Sequence, residues 1–180
     1  VDETSIDLGA KIARATKAAM GETYPDSAVY NVLFWMESKG RLGRKAKAGF
    51  FRYDAQGKRL GYWEGLGAQY PLAAQQPNLI DVQHRLIFVQ SLEAVRALET
   101  GVLMDIREGD VGAILGWGFA PWSGGPFSWL DILGSPYAAE RCDQLHHAFG
   151  DRFACPDLLR SMASKGQSFY GQAKKAQSAA

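Results

Sequence analysis

The stretch that decides the fold is "GWGFAPWSGGPFSWLD", Gly116 to Asp131. It packs four glycines, two prolines and three tryptophans into sixteen residues. Two readings compete. A glycine-rich loop between a strand and a helix cradles the phosphates of a dinucleotide. A glycine-rich turn between two helices lets them pack closely. The dinucleotide pattern is G-x-G-x-x-G, with an acidic residue about twenty positions on. Here Gly116 and Gly118 are followed by Pro121 where the third glycine belongs, and the preceding "GDVGAIL" has no strand character. A P-loop is excluded because no Gly-Lys-Ser/Thr follows. The spacing therefore predicts a packing turn, with Trp117, Phe119, Trp122 and Trp129 as its buried filling.

Helical signals extend on both sides of the turn. Residues 81–100 carry Leu86, Ile87, Val89, Leu92, Val95 and Leu98, a broad apolar face for a central helix closed by Gly101. A short helix is expected over 107–115. Pro126 is placed to begin another, Ser135-Pro136 a third with Tyr137, Ala138, Cys142, Leu145 and Phe149 on one side, and Pro156 a last one with Leu158, Leu159 and Met162. Toward the N-terminus, residues 3–20 read as a helix stopped by Gly21. A second follows, capped by Asp26 or Ser27, with Val29, Val32, Leu33 and Met36 inward and Gly40 as its stop. Residues 55–80 hold no sustained period and read as a connector between two units.

An internal echo supports duplication. "MESKG" at 36–40 returns as "MASKG" at 162–166, and "VDETSIDLG" at 1–9 parallels "LDILGSPYA" at 130–138 through an apolar-Asp start. The order of elements matches between the two copies.

Composition narrows the function. The chain has 180 residues, 47% of them hydrophobic and 22% charged, with a formal net charge of +1. That suits a folded globular chain and offers no global attraction for nucleic acid or an anionic membrane. No run approaches the ~20 apolar residues of a membrane span. The first residues are acidic and polar, so no signal peptide is expected, and the missing initiator methionine suggests a processed product or a fragment. Cys142 and Cys155 read as ordinary thiols of a reducing cytoplasm.

The sites weighed from residues alone are few. Cys142 and His146 share a helix face, but a third converging ligand is lacking, so no metal is expected. Lys39, Arg41, Arg44, Lys45, Lys47 and Arg52 form a basic run beside Phe50 and Phe51. It could hold nucleic-acid phosphates, or a CoA or nucleotide phosphate could brush this edge; the solvated-turn reading is preferred. No Gly-x-Ser-x-Gly and no triad can be assembled.

Two motifs carry a family resemblance. "GRLGRKAKAGFFRYD" at 40–54 resembles the end of the helical domain of 3-hydroxyacyl-CoA dehydrogenases, G-R-x-G-x-K-x-G-x-G-F-Y-x-Y. The run "EAVRALETGVLMDIREGDVGAILGWGFAPWSGGPFSWLDILG" at 93–134 is similar to the second helical repeat of the multifunctional fatty-acid oxidation enzymes, alpha-subunit type. The resemblance covers residues 1–171. It implies an all-α fold of two related helical units, like the C-terminal domain of 6-phosphogluconate dehydrogenase, with no Rossmann domain in this chain. Residues 1–54 would be a truncated first unit, 55–80 a connector, 81–171 the second unit and 172–180 a frayed tail.

The resemblance also implies a role. The parent would be an NAD-dependent 3-hydroxyacyl-CoA dehydrogenase of fatty-acid β-oxidation in the cytoplasm. Its catalytic His–Glu dyad and NAD loop lie in an upstream Rossmann domain, so this chain is expected to hold neither catalytic nor cofactor-binding residues. The chain would wall the acyl-CoA cleft, with Leu115, Gly116 and Trp117 as its cleft residues, and carry contacts for a homodimer and a thiolase subunit. Some relatives have Tyr where Leu115 stands. In the basic turn, Lys47 and Ala48 replace a Gly-Lys pair and Phe51 replaces Tyr. His84-Arg85 occupies the place of an Asn-Arg pair in the first unit, and a structural role is expected for His84. The rival readings are a free-standing helical interaction module and a nucleic-acid binder through 39–52.

Overall fold

A computed structural model describes residues 1–24 and 28–171 of the chain. The caps expected at Asp26 or Ser27 and the tail at 172–180 lie outside them. The described residues form eight α-helices and one two-stranded hairpin, gathered into two compact units, Val1–Gln76 and Pro77–Ala180. No Rossmann sheet is present among the described residues.

In the first unit, α1 (Ile6–Met20) buries Ile6, Ala10 and Ala13, spaced four and three apart on one helical face. It packs on α2 (Ala28–Ser38), which buries Leu33 and Met36. Gly9 makes the approach close: a Cβ there would stand 3.3 Å from Leu33 Cδ1. Ile6, Leu33 and Met36 form a small core, flanked by Val32, Trp35, Phe50, Trp63 and Leu66.

The second half of this unit departs from the sequence reading. Strands β1 (Phe51–Tyr53) and β2 (Arg59–Tyr62) pair antiparallel, with Phe51 opposite Tyr62 and Tyr53 opposite Arg59. Helix α3 (Glu64–Gln69) follows, and Trp63 stacks on Trp35 at 5.3 Å. Residues 59–69, read as connector, are thus part of the first unit. The signal was hidden because β2 is largely exposed and so lacks alternation, while α3 has six residues, two of them glycine.

The second unit is built on α4 (Leu79–Glu99). Its N-terminus is capped by Asn78, whose side chain accepts from the Ile80 amide at 2.8 Å. Phe88, Leu92 and Val95 are its buried seam; Leu86, read as inward, faces out. Around this seam pack α5 (Ile106–Trp117), α6 (Pro126–Leu133), α7 (Ser135–Phe149) and α8 (Asp157–Lys165). Their core joins Phe127, Trp129, Leu130, Ala138, Cys142, Leu145, Phe153 and Leu159. Pro126 and Pro136 stand in the first turns of their helices, where a missing N–H costs nothing.

The echo in sequence is an echo in structure. In the first unit the Asp2 carboxylate accepts the backbone N–H groups of Phe50 at 2.9 Å and Phe51 at 3.1 Å. In the second, the Asp131 carboxylate accepts those of Phe169 at 2.8 Å and Tyr170 at 2.9 Å. Each is the aspartate of the apolar-Asp start, gripping an aromatic pair that begins ten residues after the Lys-Gly pentapeptide in the first unit and three after it in the second. The two units use one closure.

Candidate functional site

The motif at 116–131 answers its question through electrostatics. A phosphate cradle requires free N–H groups at a helix N-terminus. Gly116 and Gly118 instead lie at the C-terminal end of α5, where carbonyl oxygens point outward and anions are repelled; Gly118 is the C-cap at φ 78. The N-terminus of α6, after Gly124 and Gly125, already holds an internal anion. Buried Asp110 accepts from the Phe127 amide at 2.8 Å, the Ser128 amide at 3.1 Å and the Ser128 hydroxyl at 2.6 Å. The phenol of Tyr170 completes the set at 2.9 Å. At this turn the N–H groups that a phosphate would need are therefore taken by Asp110.

The roles within the turn differ from the expectation. Gly125, at φ 116, makes room for a carboxylate: a Cβ there would stand 2.5 Å from Asp110. The glycine that brings two helices together is Gly109 on α5, whose added Cβ would meet the Phe127 ring on α6 at 2.6 Å. Phe119 and Trp129 are buried as expected, but Trp117 is 61% exposed and Trp122 is 73% exposed. Both lie outside the core because α5 and the turn at Pro121–Ser123 present them to solvent.

Leu115, Gly116 and Trp117 occupy the last turn of α5. Leu115 is 80% exposed, and a Cβ on Gly116 would meet nothing within 4 Å. Trp117 is oriented by its indole N–H, which donates to Gln90 Oε1 on α4 at 3.0 Å. Val111, one turn before Leu115, is exposed on the same helix. The result is an apolar face with a fixed tryptophan, not an enclosed cavity.

His84 is held by Arg141. The Arg141 Nε–H donates to His84 Nδ1 at 3.1 Å, while the same guanidinium pairs with Asp81 and with Gln144 at 2.8 Å. Arginine can only donate, so Nδ1 is an acceptor and the ring proton sits on Nε2. Burial, followed by the neighbouring Arg141 charge, pushes the His84 pKa down, against a smaller opposing pull from Asp81. With rings of Phe88, Trp129 and Tyr137 around it, His84 has the surroundings of a packing residue.

The Cys142–His146 pair does not converge. Cys142 is buried, whereas His146 turns out to Asp151 at 2.9 Å. A hydrogen bond with Cys155, then burial, pushes the Cys142 thiol up, which opposes the thiolate a metal needs. No group of three or more candidate ligands is gathered among the described residues.

The basic run is divided: Arg44, Lys45 and Lys47 line one hollow, while Arg41 and Arg52 are engaged elsewhere. Arg41 folds inward, donating to the carbonyls of Gly49 at 2.7 Å and Phe51 at 3.0 Å while covering the Trp63 ring. Arg52 pairs with Glu64 at 3.1 Å. Phe50 packs on the small core and Phe51 stacks on Tyr62. A continuous stripe with free stacking rings is not formed.

No family model matches the chain. The fatty acid oxidation complex subunit alpha of Shewanella loihica is 38% identical over 173 residues, covering 94% of this chain and 24% of that protein. Those of Vibrio vulnificus and Shewanella amazonensis are each 35% identical, over 174 and 175 residues, with the same coverage. The chain is homologous to part of the fatty acid oxidation complex alpha subunit. It spans about a quarter of the length of these relatives, 24%. No described helix is long and apolar enough to cross a membrane.

Proposed function

We propose that this chain is the C-terminal substrate-cleft and subunit-contact region of an NAD-dependent 3-hydroxyacyl-CoA dehydrogenase of fatty-acid β-oxidation, working in the cytoplasm and inactive by itself. The observation that carries the reading is similarity along 94% of the chain to fatty acid oxidation complex alpha subunits. Leu115, Gly116 and Trp117 are its cleft residues. Their apolar surface suits the acyl chain of a thioester, and the bond from Trp117 to Gln90 holds the indole ready without a further ordering cost. NAD and the catalytic base belong to an upstream Rossmann domain of the same polypeptide. A homodimer partner and a thiolase subunit are the remaining contacts.

The experiment has two arms. The purified chain is mixed with NAD and a 3-hydroxyacyl-CoA, and no reduction of NAD is expected; turnover would sink the claim that the chain lacks catalytic groups. In the full-length gene product, Trp117→Ala is expected to raise KM for the acyl thioester by about tenfold with kcat little changed, the mark of lost uniform binding. An unchanged KM would remove Trp117 from the cleft.

A further inference from the structure

A concave site in the first unit gathers three members of the basic run, Arg44, Lys45 and Lys47, with Lys58 and Arg59. The hairpin folds back so that Lys58 and Arg59 reach the turn carrying Arg44, Lys45 and Lys47. Two adjoining hollows result. One, about 450 Å³, is lined by Glu3, Arg44, Lys45, Lys47, Ala55, Gln56 and Gly57. The other, about 340 Å³, shares Glu3, Arg44, Gln56 and Gly57 and adds Tyr53, Lys58 and Arg59. Five cations thus surround a single lining carboxylate.

Glu3 holds the two arginines in place. It accepts from Arg44 at 3.2 Å and from Arg59 at 3.3 Å, and the Arg59 guanidinium also lies on the Phe51 ring at 4.3 Å. Two further acids stand nearby. Asp54 accepts the backbone N–H groups of Gln56 and Lys58, and Asp7, which feels the Lys45 charge, accepts from Ser5. Five cations against the carboxylates of Glu3, Asp54 and Asp7 still leave a positive excess around the hollows, although the chain as a whole carries only +1.

Lys47 supplies the strongest sign of selection. Its backbone is left-handed at φ 55, a conformation free to glycine and costly to lysine. A glycine would close this turn without strain. The chain instead places a lysine there, with Nζ donating to the Ala55 carbonyl at 2.6 Å on the rim of the hollow.

We infer that these hollows bind a small molecule bearing two phosphate groups, one beside Lys45 and Lys47 and one beside Lys58 and Arg59, with Arg44 between them. Guanidinium forks and ammonium groups are the usual partners of phosphate oxygens, and two hollows joined through one arginine match two linked anions better than a single one. The site stands on the first unit's own geometry and does not depend on the dehydrogenase reading.

The test is calorimetric titration of the whole chain with inorganic pyrophosphate, with orthophosphate and a single-stranded oligonucleotide in parallel. Pyrophosphate is expected to bind more tightly than orthophosphate and to shift the Gly57 amide resonance. Lys47→Gly and Lys58→Gln are each expected to weaken it by about tenfold. Lys47→Gly also relieves the strained turn, so its melting temperature should hold or rise, which separates lost binding from lost fold. Absence of pyrophosphate binding, equal binding of orthophosphate, indifference to both substitutions, or preference for the oligonucleotide with affinity growing with its length would each overturn the proposal.

Discussion

Tyr170 donates its phenolic hydrogen to Asp110 at 2.9 Å, joining residues sixty positions apart in the sequence. Burial, and then this bond to Asp110, pushes the phenol pKa from 10.0 up to about 12. A pKa raised by folding stabilises the folded state fully below the unfolded value and loses that contribution as pH rises through the folded one. Stability of the second unit should therefore fall between about pH 10 and pH 12, and Tyr170→Phe should flatten that slope. Urea unfolding across the alkaline range checks it. A slope unchanged in Tyr170→Phe would remove the phenol from the account.

The same network predicts unequal costs for its two ends. Tyr170→Phe leaves Asp110 with three donors and should cost about 1 kcal/mol. Asp110→Ala leaves two backbone N–H groups, a serine hydroxyl and a phenol without their acceptor, and should cost about 3 kcal/mol. Chemical denaturation of both variants gives the comparison. Equal losses would mean that Asp110 is not the hub.

Glycines in one segment should respond in opposite directions. Gly125→Ala forces a Cβ onto the Asp110 carboxylate at positive φ and should destabilise by about 3 kcal/mol. Gly112, inside α5, faces open space, so Gly112→Ala should stabilise by about 1 kcal/mol through helix propensity. Melting temperatures that move the same way would overturn this division.

The paired closures predict paired defects. Asp2→Ala should expose the amides of Phe50 and Phe51 to hydrogen exchange, and Asp131→Ala those of Phe169 and Tyr170, each at about 2 kcal/mol. Protection lost in the wrong unit, or in neither, would break the equivalence of the two aspartates.

What the sequence made legible follows from where its signals act. Helices with a strong apolar seam, such as Phe88–Leu92–Val95, declare themselves through period alone, and Pro126 and Pro136 mark helix starts because φ is fixed there. Trp117 and Trp122 stand exposed against expectation because a tryptophan's area says how much it would gain from burial, not whether a partner surface exists within the same chain. The Asp110 network was invisible because an aspartate on a helix reads as solvated until the glycine opposite it, fifteen residues on, is seen to make space. The hairpin escaped for a related reason. Its second strand is four residues long and largely exposed, so no alternation marks it, and its contacts to Asp2 and Glu3 lie about fifty residues away.

Asp105 offers the last prediction, at acid pH. It caps α5, accepting the Arg107 amide at 2.8 Å and pairing with the Arg107 guanidinium. Those bonds, the side-chain one first, hold its carboxyl down from 3.8 to about 2. A depressed carboxylate stabilises the folded state above its unfolded pKa, and that contribution is lost as pH falls through the folded value. The first turn of α5 should therefore hold at pH 4 and fray between about pH 4 and pH 2, because a protonated cap no longer balances the N-terminal dipole. Asp105→Asn keeps an acceptor oxygen but cannot titrate, so its helix start should be somewhat weaker at neutral pH and insensitive to acid over that range. Amide shifts of Ile106 to Glu108 followed by NMR through the titration discriminate the cases. If the native chain and Asp105→Asn respond identically to acid, the cap is not held by charge.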